Sequence, residues 1–358
     1  MIVKMRQITE AVGCLLCLAA LASCSLIDDD LSSCPPEQEN PATLDYELRL
    51  VTNMTTEVQT QLTAQTDVAL AATLQAHLSN IFTDYAQDVN LSFYDTQGDS
   101  VRLHHDQHIM NASEHSYTLY IPRQKYMHLA AANIEGDPIV HLESDKICHD
   151  AVLRQVEGDT IDSHNTGVFT ARQMMEMIEG VDQTFNVKLY MANCSAMLVI
   201  DPQGHDTKDL RVFTTGFATA FHIADSVYEF SANSPMIRTT RLAPDENGFI
   251  GLCSVNFPSP ESSAQAAPKA TRTVIETTEP FIVGPGDKQL WSYEVYVPQS
   301  DGSVTKNVLG IMEPLRAGQL KIVKCKLSEN GTIETSDQSV AVSVTLNWNS
   351  GGNYEPKL

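Results

Sequence analysis

Apolar and polar residues alternate with period two along much of this chain. Leu44, Tyr46, Leu48 and Leu50 interleave with Asp45, Glu47 and Arg49, which puts apolar groups on one face of an extended segment and charges on the other. Val89, Leu91 and Phe93 repeat the pattern, as do Tyr117, Leu119 and Ile121 ahead of Pro122, and Tyr293, Val295 and Val297 ahead of Pro298. Proline cannot donate to a ladder, so it marks strand ends. The clearest strand sets Val342, Val344, Leu346 and Trp348 against Ser343, Thr345 and Asn347. With turn signals at Asp301-Gly302 and Asn330-Gly331, these strands predict an all-β chain of antiparallel sandwiches.

Helical signals are few. Thr56 to Gln87 is rich in alanine and leucine with little Gly or Pro, which predicts one amphipathic helix as a minor insertion. A second short helix is expected from Thr170 to Ile178, with Thr170 as cap and Gly180 as terminator. Pro258 to Ala270 has no periodicity and reads as a mobile loop.

The N-terminus carries a different pattern. Lys4 and Arg6 precede an apolar stretch from Ala11 to Ala22 that is shorter than the roughly 20 residues of a spanning helix. Leu21, Ala22, Ser23 and Cys24 follow in order, as in a bacterial lipoprotein signal: small residues fit the cleavage pocket and the thiol becomes acylated. Residues 1 to 23 are therefore expected to be cleaved, leaving Cys24 as a lipidated N-terminus carrying palmitate or similar acyl chains. Asp28, Asp29 and Asp30 then form a run of carboxylates that cannot pack, so residues 24 to 40 read as a solvated tether. Acidic residues at this place also resemble the surface-export signal of Bacteroidetes lipoproteins.

Removing the signal takes away Lys4, Arg6 and Glu10 and moves the formal charge from −22 to −23. Such a chain repels nucleic acid, and no basic stripe offsets this. The remaining 335 of 358 residues exceed what one core usually serves. We expect an N-terminal sandwich over residues 41 to 188 and a C-terminal one over residues 189 to 358, with the boundary near Phe185 to Asn193.

Five cysteines remain after the signal and Cys24 are set aside: Cys34, Cys148, Cys194, Cys253 and Cys325. Their spacing fits neither a disulfide framework nor a zinc site, so at most two bridges can form. Cys325 lies on an alternating strand and reads as a small core residue. His104, His105 and His108 cluster near His115; on a strand, His104 and His105 point to opposite faces and cannot share one ion without a bend. Asp201 to Asp209 lacks the ligand alternation of a calcium loop, and Asp245, Glu246, Asn247 and Gly248 read as a tight turn. No nucleophile elbow, P-loop, dinucleotide fingerprint or redox cysteine pair occurs. We therefore expect no enzyme, no cofactor and no metal site.

Four blocks together resemble the FimB/Mfa2-type fimbrial subunits of Bacteroidetes. They are Asp30 to Pro35 after the lipidated cysteine; Gly180, Val181, Asp182, Gln183 and Thr184 ahead of a strand; Pro314 to Gly318 leading into Gln319 to Leu327; and Val342 to Trp348 followed by Gly351-Gly352. Leu189 is followed by Tyr190 where an arginine is frequent in that family, and Asn347 stands where aspartate is usual. The resemblance implies two tandem transthyretin-like sandwiches in an outer-membrane, surface-exposed lipoprotein that anchors a fimbrium, or pilus, and contributes to adhesion. Its implied partners are shaft or accessory subunits joined by strand addition. Related shaft subunits are cleaved after an arginine in the first strand; Arg49 reads instead as a solvent-facing strand residue, so the first strand is retained. The competing reading is a surface lipoprotein that binds glycan or host protein. Trp291 and Trp348, both on alternating strands, read as core residues and not as sugar platforms.

Overall fold

A computed structural model describes residues 40–48, 68–82, 86–109, 116–231, 234–242, 250–262, 265, 281–282 and 289–347. Residues 1 to 23, expected to be the signal, and Cys24, Cys34, Arg49, His115, Asp245 to Gly248 and Trp348 lie outside the described residues. The described chain is almost entirely β. Its one α-helix, α1 (Val68–Ile81), falls inside the stretch expected to be helical.

The first sheet has seven strands, introduced here in chain order: β1 (Asn40–Leu48), β2 (Asp88–Asp95), β3 (Arg102–Ile109), β4 (Ser116–Ile121), β5 (Lys125–Ala132), β9 (Phe169–Glu176) and β10 (Gln183–Met191). Their spatial order is β3-β2-β5-β9-β10-β1-β4. β9 and β10 meet only at Tyr190↔Thr170 and Met191↔Phe169, so the sheet turns there and folds over on itself. Ala42 and Leu44 of β1, with Val187 and Leu189 of β10, then share a core with Val89, Leu91 and Phe93 of β2 and with Ala130 and Ala132 of β5. The alternation read from the sequence is what fills this core.

Residues Thr170 to Ile178 do not form a helix. Through Glu176 they lie in β9, which pairs along its whole length with β5, from Lys125↔Glu176 to Ala132↔Phe169. Phe169, Ala171 and Met175 are buried and Glu176 is exposed. The period-two pattern and the cross-strand partners outweigh a local capping signal.

Three further sheets complete the chain. A four-stranded sheet joins β6 (Val140–Leu142) and β7 (Val152–Gln155) to β13 (Ala220–His222) and β14 (Val227–Glu229). A seven-stranded one contains β8 (Thr160–Asp162), β12 (Arg211–Thr215), β15 (Met236–Arg238), β18 (Phe281–Ile282), β19 (Trp291–Pro298), β20 (Val304–Ile311) and β23 (Val340–Asn347). The five-stranded sheet holds β11 (Cys194–Asp201), β16 (Thr240–Arg241), β17 (Ile250–Asn256), β21 (Leu320–Leu327) and β22 (Ile333–Glu334). Strands from residues 140–162 thus join sheets otherwise built from residue 211 onward, and β10 runs unbroken through residues 188 and 189. Most pairings are antiparallel; β1 with β10, β11 with β21 and β8 with β15 are parallel.

The central strand of the five-stranded sheet, β11, is buried on both faces. Ala196, Leu198 and Ile200 join the second core, while Met197 and Val199 join the core of the first sandwich. Such a strand reads as a continuous apolar run, and Ala196 to Ile200 is one. Trp291 is buried against Phe217 and Tyr293, with Nε1 donating to the Glu313 carbonyl at 3.0 Å. The helix end is sealed by its neighbours: Gly167 N and Thr166 Oγ1 both donate to the Ile81 carbonyl, at 3.0 and 3.2 Å, which satisfies an acceptor that a helix C-terminus leaves open.

The stretch from Pro258 onward does not begin as a mobile loop. Ala218 N donates to Pro258 O at 3.0 Å, Ser259 N donates to Leu315 O at 3.0 Å, and Leu315 N donates to Ser259 Oγ at 2.8 Å. These bonds hold its first residues in place; residues 266–270 lie outside the described residues.

Candidate functional site

β1, the first described element, is an interior strand of its sheet. It pairs in parallel with β10 from Ala42↔Gln183 to Leu48↔Leu189 and antiparallel with β4 from Asn40↔Ile121 to Asp45↔Ser116. The two ends of the folded sheet are β3 and β4, which among the described residues pair only with β2 and β1 respectively. Folding brings these ends together: the His108 ring of β3 stacks on Tyr117 of β4 at 4.0 Å. One side of the first sandwich is therefore bounded by two edge strands.

These edges differ in character. On β3, His104, Asp106 and His108 stand opposite Phe93, Leu91 and Val89, residues of the inner face, and directly opposed residues share a face. Charged and titratable groups on the inner face of an edge strand oppose further pairing, and the register shift beside Phe93 and Tyr94 twists the edge further. β4 is regular, with Leu119 and Ile121 buried and Ser116, Thr118 and Tyr120 outward. Among the described residues it is the more regular of the two edges.

A ring column crosses the sandwich behind this side. Tyr117 stacks on Tyr46 at 5.5 Å, and the Tyr46 hydroxyl lies 3.0 Å from His128 Nε2. His128 stacks on Phe93 at 4.4 Å, and its Nδ1 lies 3.1 Å from the Ser92 carbonyl. A carbonyl only accepts, so Nδ1 carries the proton and Nε2 accepts from Tyr46. Complete burial of His128 drives its pKa down to about 4, and the Ser92 carbonyl only partly opposes this. The imidazole is thus held neutral as a structural polar bridge.

Of the histidines singled out in sequence, His104 and His105 do face opposite ways. His104 packs on Phe93 at 5.7 Å, whereas His105 Nδ1 lies 3.2 Å from Ser92 Oγ. His108 Nε2 lies 3.1 Å from Asp106 Oδ2. Among the described residues no group of three or more His, Cys, Asp or Glu is placed to hold a metal ion.

Sequence reasoning missed one constellation, because its carboxylate is 53 residues from its hydroxyl. Ser92 Oγ donates to Asp145 Oδ2 at 2.9 Å, Arg102 donates to Asp145 Oδ1, and the Tyr94 hydroxyl donates to the Asp145 carbonyl at 2.8 Å. A hydrolytic triad needs the imidazole between hydroxyl and carboxylate, one nitrogen to each. Here the serine proton goes straight to the carboxylate, and His105 turns a single nitrogen to both, 3.8 Å from Asp145 Oδ2. The arrangement is a clamp. It fastens the segment after β6 onto the β2–β3 hairpin, where Arg102 N donates to Lys146 O and Cys148 N donates to Ser100 O.

Cys148, Cys194, Cys253 and Cys325 are all buried and free. Burial pushes the Cys253 and Cys325 thiols up to about 12 and raises Cys148 and Cys194 as well, so they pack as small apolar side chains. Asp201 to Asp209 is a turn region, with Asp201 and Asp206 carboxylates accepting from the backbone two residues on.

No protein-family profile matches the sequence, and no curated protein matches it. Solved structures do resemble the fold. The fimbrial anchor protein Mfa2 from Porphyromonas gingivalis is 9% identical and is matched over 85% of this chain and 96% of its own, with a TM-score of 0.43. The tip fimbrial protein Mfa3 from the same organism is 10% identical over 86% of this chain and 98% of its own, with a TM-score of 0.36. A candidate polysaccharide-binding protein from Bacteroides thetaiotaomicron is 9% identical over 84% of this chain and 99% of its own, with a TM-score of 0.49.

Proposed function

We propose that this chain is a surface lipoprotein acylated at Cys24 that anchors a fimbrium to the bacterial outer membrane as a non-enzymatic structural subunit. The carrying observation is the passage from Leu21-Ala22-Ser23-Cys24 through Asp28, Asp29 and Asp30 into β1, an interior strand. Load on the lipid enters the body through a strand held by ladders on both sides, which must shear together before β1 can leave. An anchor needs that attachment. A multiply acylated cysteine binds a bilayer far more durably than one chain does.

A partner subunit joins by strand addition at β4. Main-chain hydrogen bonds supply affinity along an unpaired edge, and the alternation of Tyr117, Leu119 and Ile121 sets register. The chemistry of the described residues favours a structural role: the Ser92, His105 and Asp145 cluster is wired as a clamp, and the buried thiols are held protonated.

The test is co-purification from sheared surface material. A fimbrial shaft protein is expected to remain with this chain under mildly denaturing conditions, as a strand-exchanged contact would. Recovery of the chain with bound oligosaccharide and no shaft protein would favour the glycan-binding alternative.

A further inference from the structure

The exposed apolar side chains are not scattered. β1, β5 and β10 begin at one pole of the first sandwich and β2, β4 and β9 end there, as the pairs Ala42↔Gln183, Asn40↔Ile121, Lys125↔Glu176 and Asp95↔Tyr126 require. Tyr120 sits at that pole opposite Pro41; Ile178 and Val181 lie in the connection from β9 to β10; and Val101, which accepts from Asp95 N, bridges to Ile147. These five are between 37% and 58% exposed, and they make up most of the nine large apolar side chains exposed among the described residues. Isolated exposed apolar residues need no explanation, but a cluster at one end does.

The same pole is where the tether arrives. Fifteen residues, 25–39, separate Cys24 from Asn40, and a random coil of that length spans only about 20 Å on average. β10 runs from this pole to Met191, and β11 then carries the chain into the second core. This β10–β11 crossing is at the far end of the first sandwich, while Tyr94 and Cys148 of the second core lie beside the tether pole.

We propose that this apolar pole docks on the outer face of the membrane to which Cys24 is anchored, seating Tyr120, Ile178, Val181, Val101 and Ile147 in the headgroup layer. The inference rests on the anchoring reading above. Aromatic and branched apolar residues at a membrane–water boundary are favoured there. Two ion pairs at the pole neutralise part of its charge, Arg123 with Glu179 at 2.9 Å and Lys125 with Glu176 at 3.4 Å. Exposed Asp99, Asp182 and Lys146 remain on its rim and leave no excess of positive charge, so the attraction is apolar and not electrostatic, and added salt does not weaken it. The tether supplies the effective concentration that a patch this small needs.

The test uses the full chain, acylated and purified from outer membranes, in phosphatidylcholine vesicles containing doxyl-labelled lipid. One reporter is Val181→Trp at the pole; the control is Val227→Trp on β14, similarly exposed in the second part of the chain. We expect emission added at position 181 to be quenched at least about twofold more than that added at 227, because interfacial tryptophan lies within reach of the label. Adding Tyr120→Ser and Ile178→Ser should bring quenching at 181 down to the control level. Equal quenching of the two reporters on floating protein overturns docking and leaves anchoring intact. Protein that fails to float overturns the anchoring reading and docking with it. A stable dimer broken by Tyr120→Ser and Ile178→Ser, with no quenching, gives the pole to a second copy and also overturns the proposal.

Discussion

Acid should loosen the first sandwich at a pH where its surface carboxylates are still ionised, and His128 is the reason. Its imidazole is fully buried, stacked on Phe93 and bonded to the Ser92 carbonyl and the Tyr46 hydroxyl. In the unfolded chain it takes a proton below about pH 6.5, whereas in the fold it resists until about pH 4. Stability from this group is therefore complete above about pH 6.5, falls as pH drops through the window to about 4, and is flat below it. The full difference amounts to about 3 kcal/mol, of which about 2 kcal/mol is gone by about pH 5. His164 adds a loss of the same sign, since burial drives it down to about 3. Urea unfolding at about pH 7 and about pH 5, followed by circular dichroism, measures the sum. His128→Gln should be less stable than the parent at neutral pH yet lose about 2 kcal/mol less between the two pH values. Equal losses in parent and variant would show that the imidazole is not held neutral, and the ring column would need another account.

Three other outcomes follow from local geometry. Gly216 has φ +96, and an added Cβ would sit 2.9 Å from the Leu290 carbonyl and Trp291 Cα, so Gly216→Ala should lower thermal stability by about 2 kcal/mol or more through strain and clash with backbone. Asp145→Asn keeps an acceptor for Ser92 but loses the charge facing Arg102, and amide exchange over residues 143–148 should speed up by roughly tenfold, equivalent to about 1.4 kcal/mol. Cys148, Cys194, Cys253 and Cys325 should resist a water-soluble alkylating reagent in the native protein and react fully once it is unfolded, as read by intact mass; rapid native labelling of any of them would contradict its burial.

Strands whose inner face is filled by their own alternation are legible in the sequence: β1, β2, β4, β19 and β23 appear where Leu44, Val89, Leu119, Val295 and Val342 place them. What stays hidden depends on partners distant in sequence. β6, β7 and β8 have three or four residues each, too short to show a period, and owe their existence to pairing within their sheets, β7 with β6 and β13, and β8 with β15. β9 carries a helix-like cap at Thr170 that masks a weak alternation, and its pairing with β5 decides for the strand. Parallel pairing of β1 with β10 leaves no local trace, because the intervening residues form most of the sandwich. Asp145 is tied to Ser92 only by the fold, across 53 residues of sequence.

The central claim is that lipid on Cys24 holds a polymer to the cell. Mass spectrometry of medium, sheared fimbriae and outer-membrane fractions from parent cells and from cells carrying Cys24→Ala tests it directly. The anchoring account predicts that the substitution releases polymerised fimbriae into the medium while this chain leaves the membrane fraction. Fimbriae that stay attached to cells whose chain lacks the acylated cysteine would contradict it.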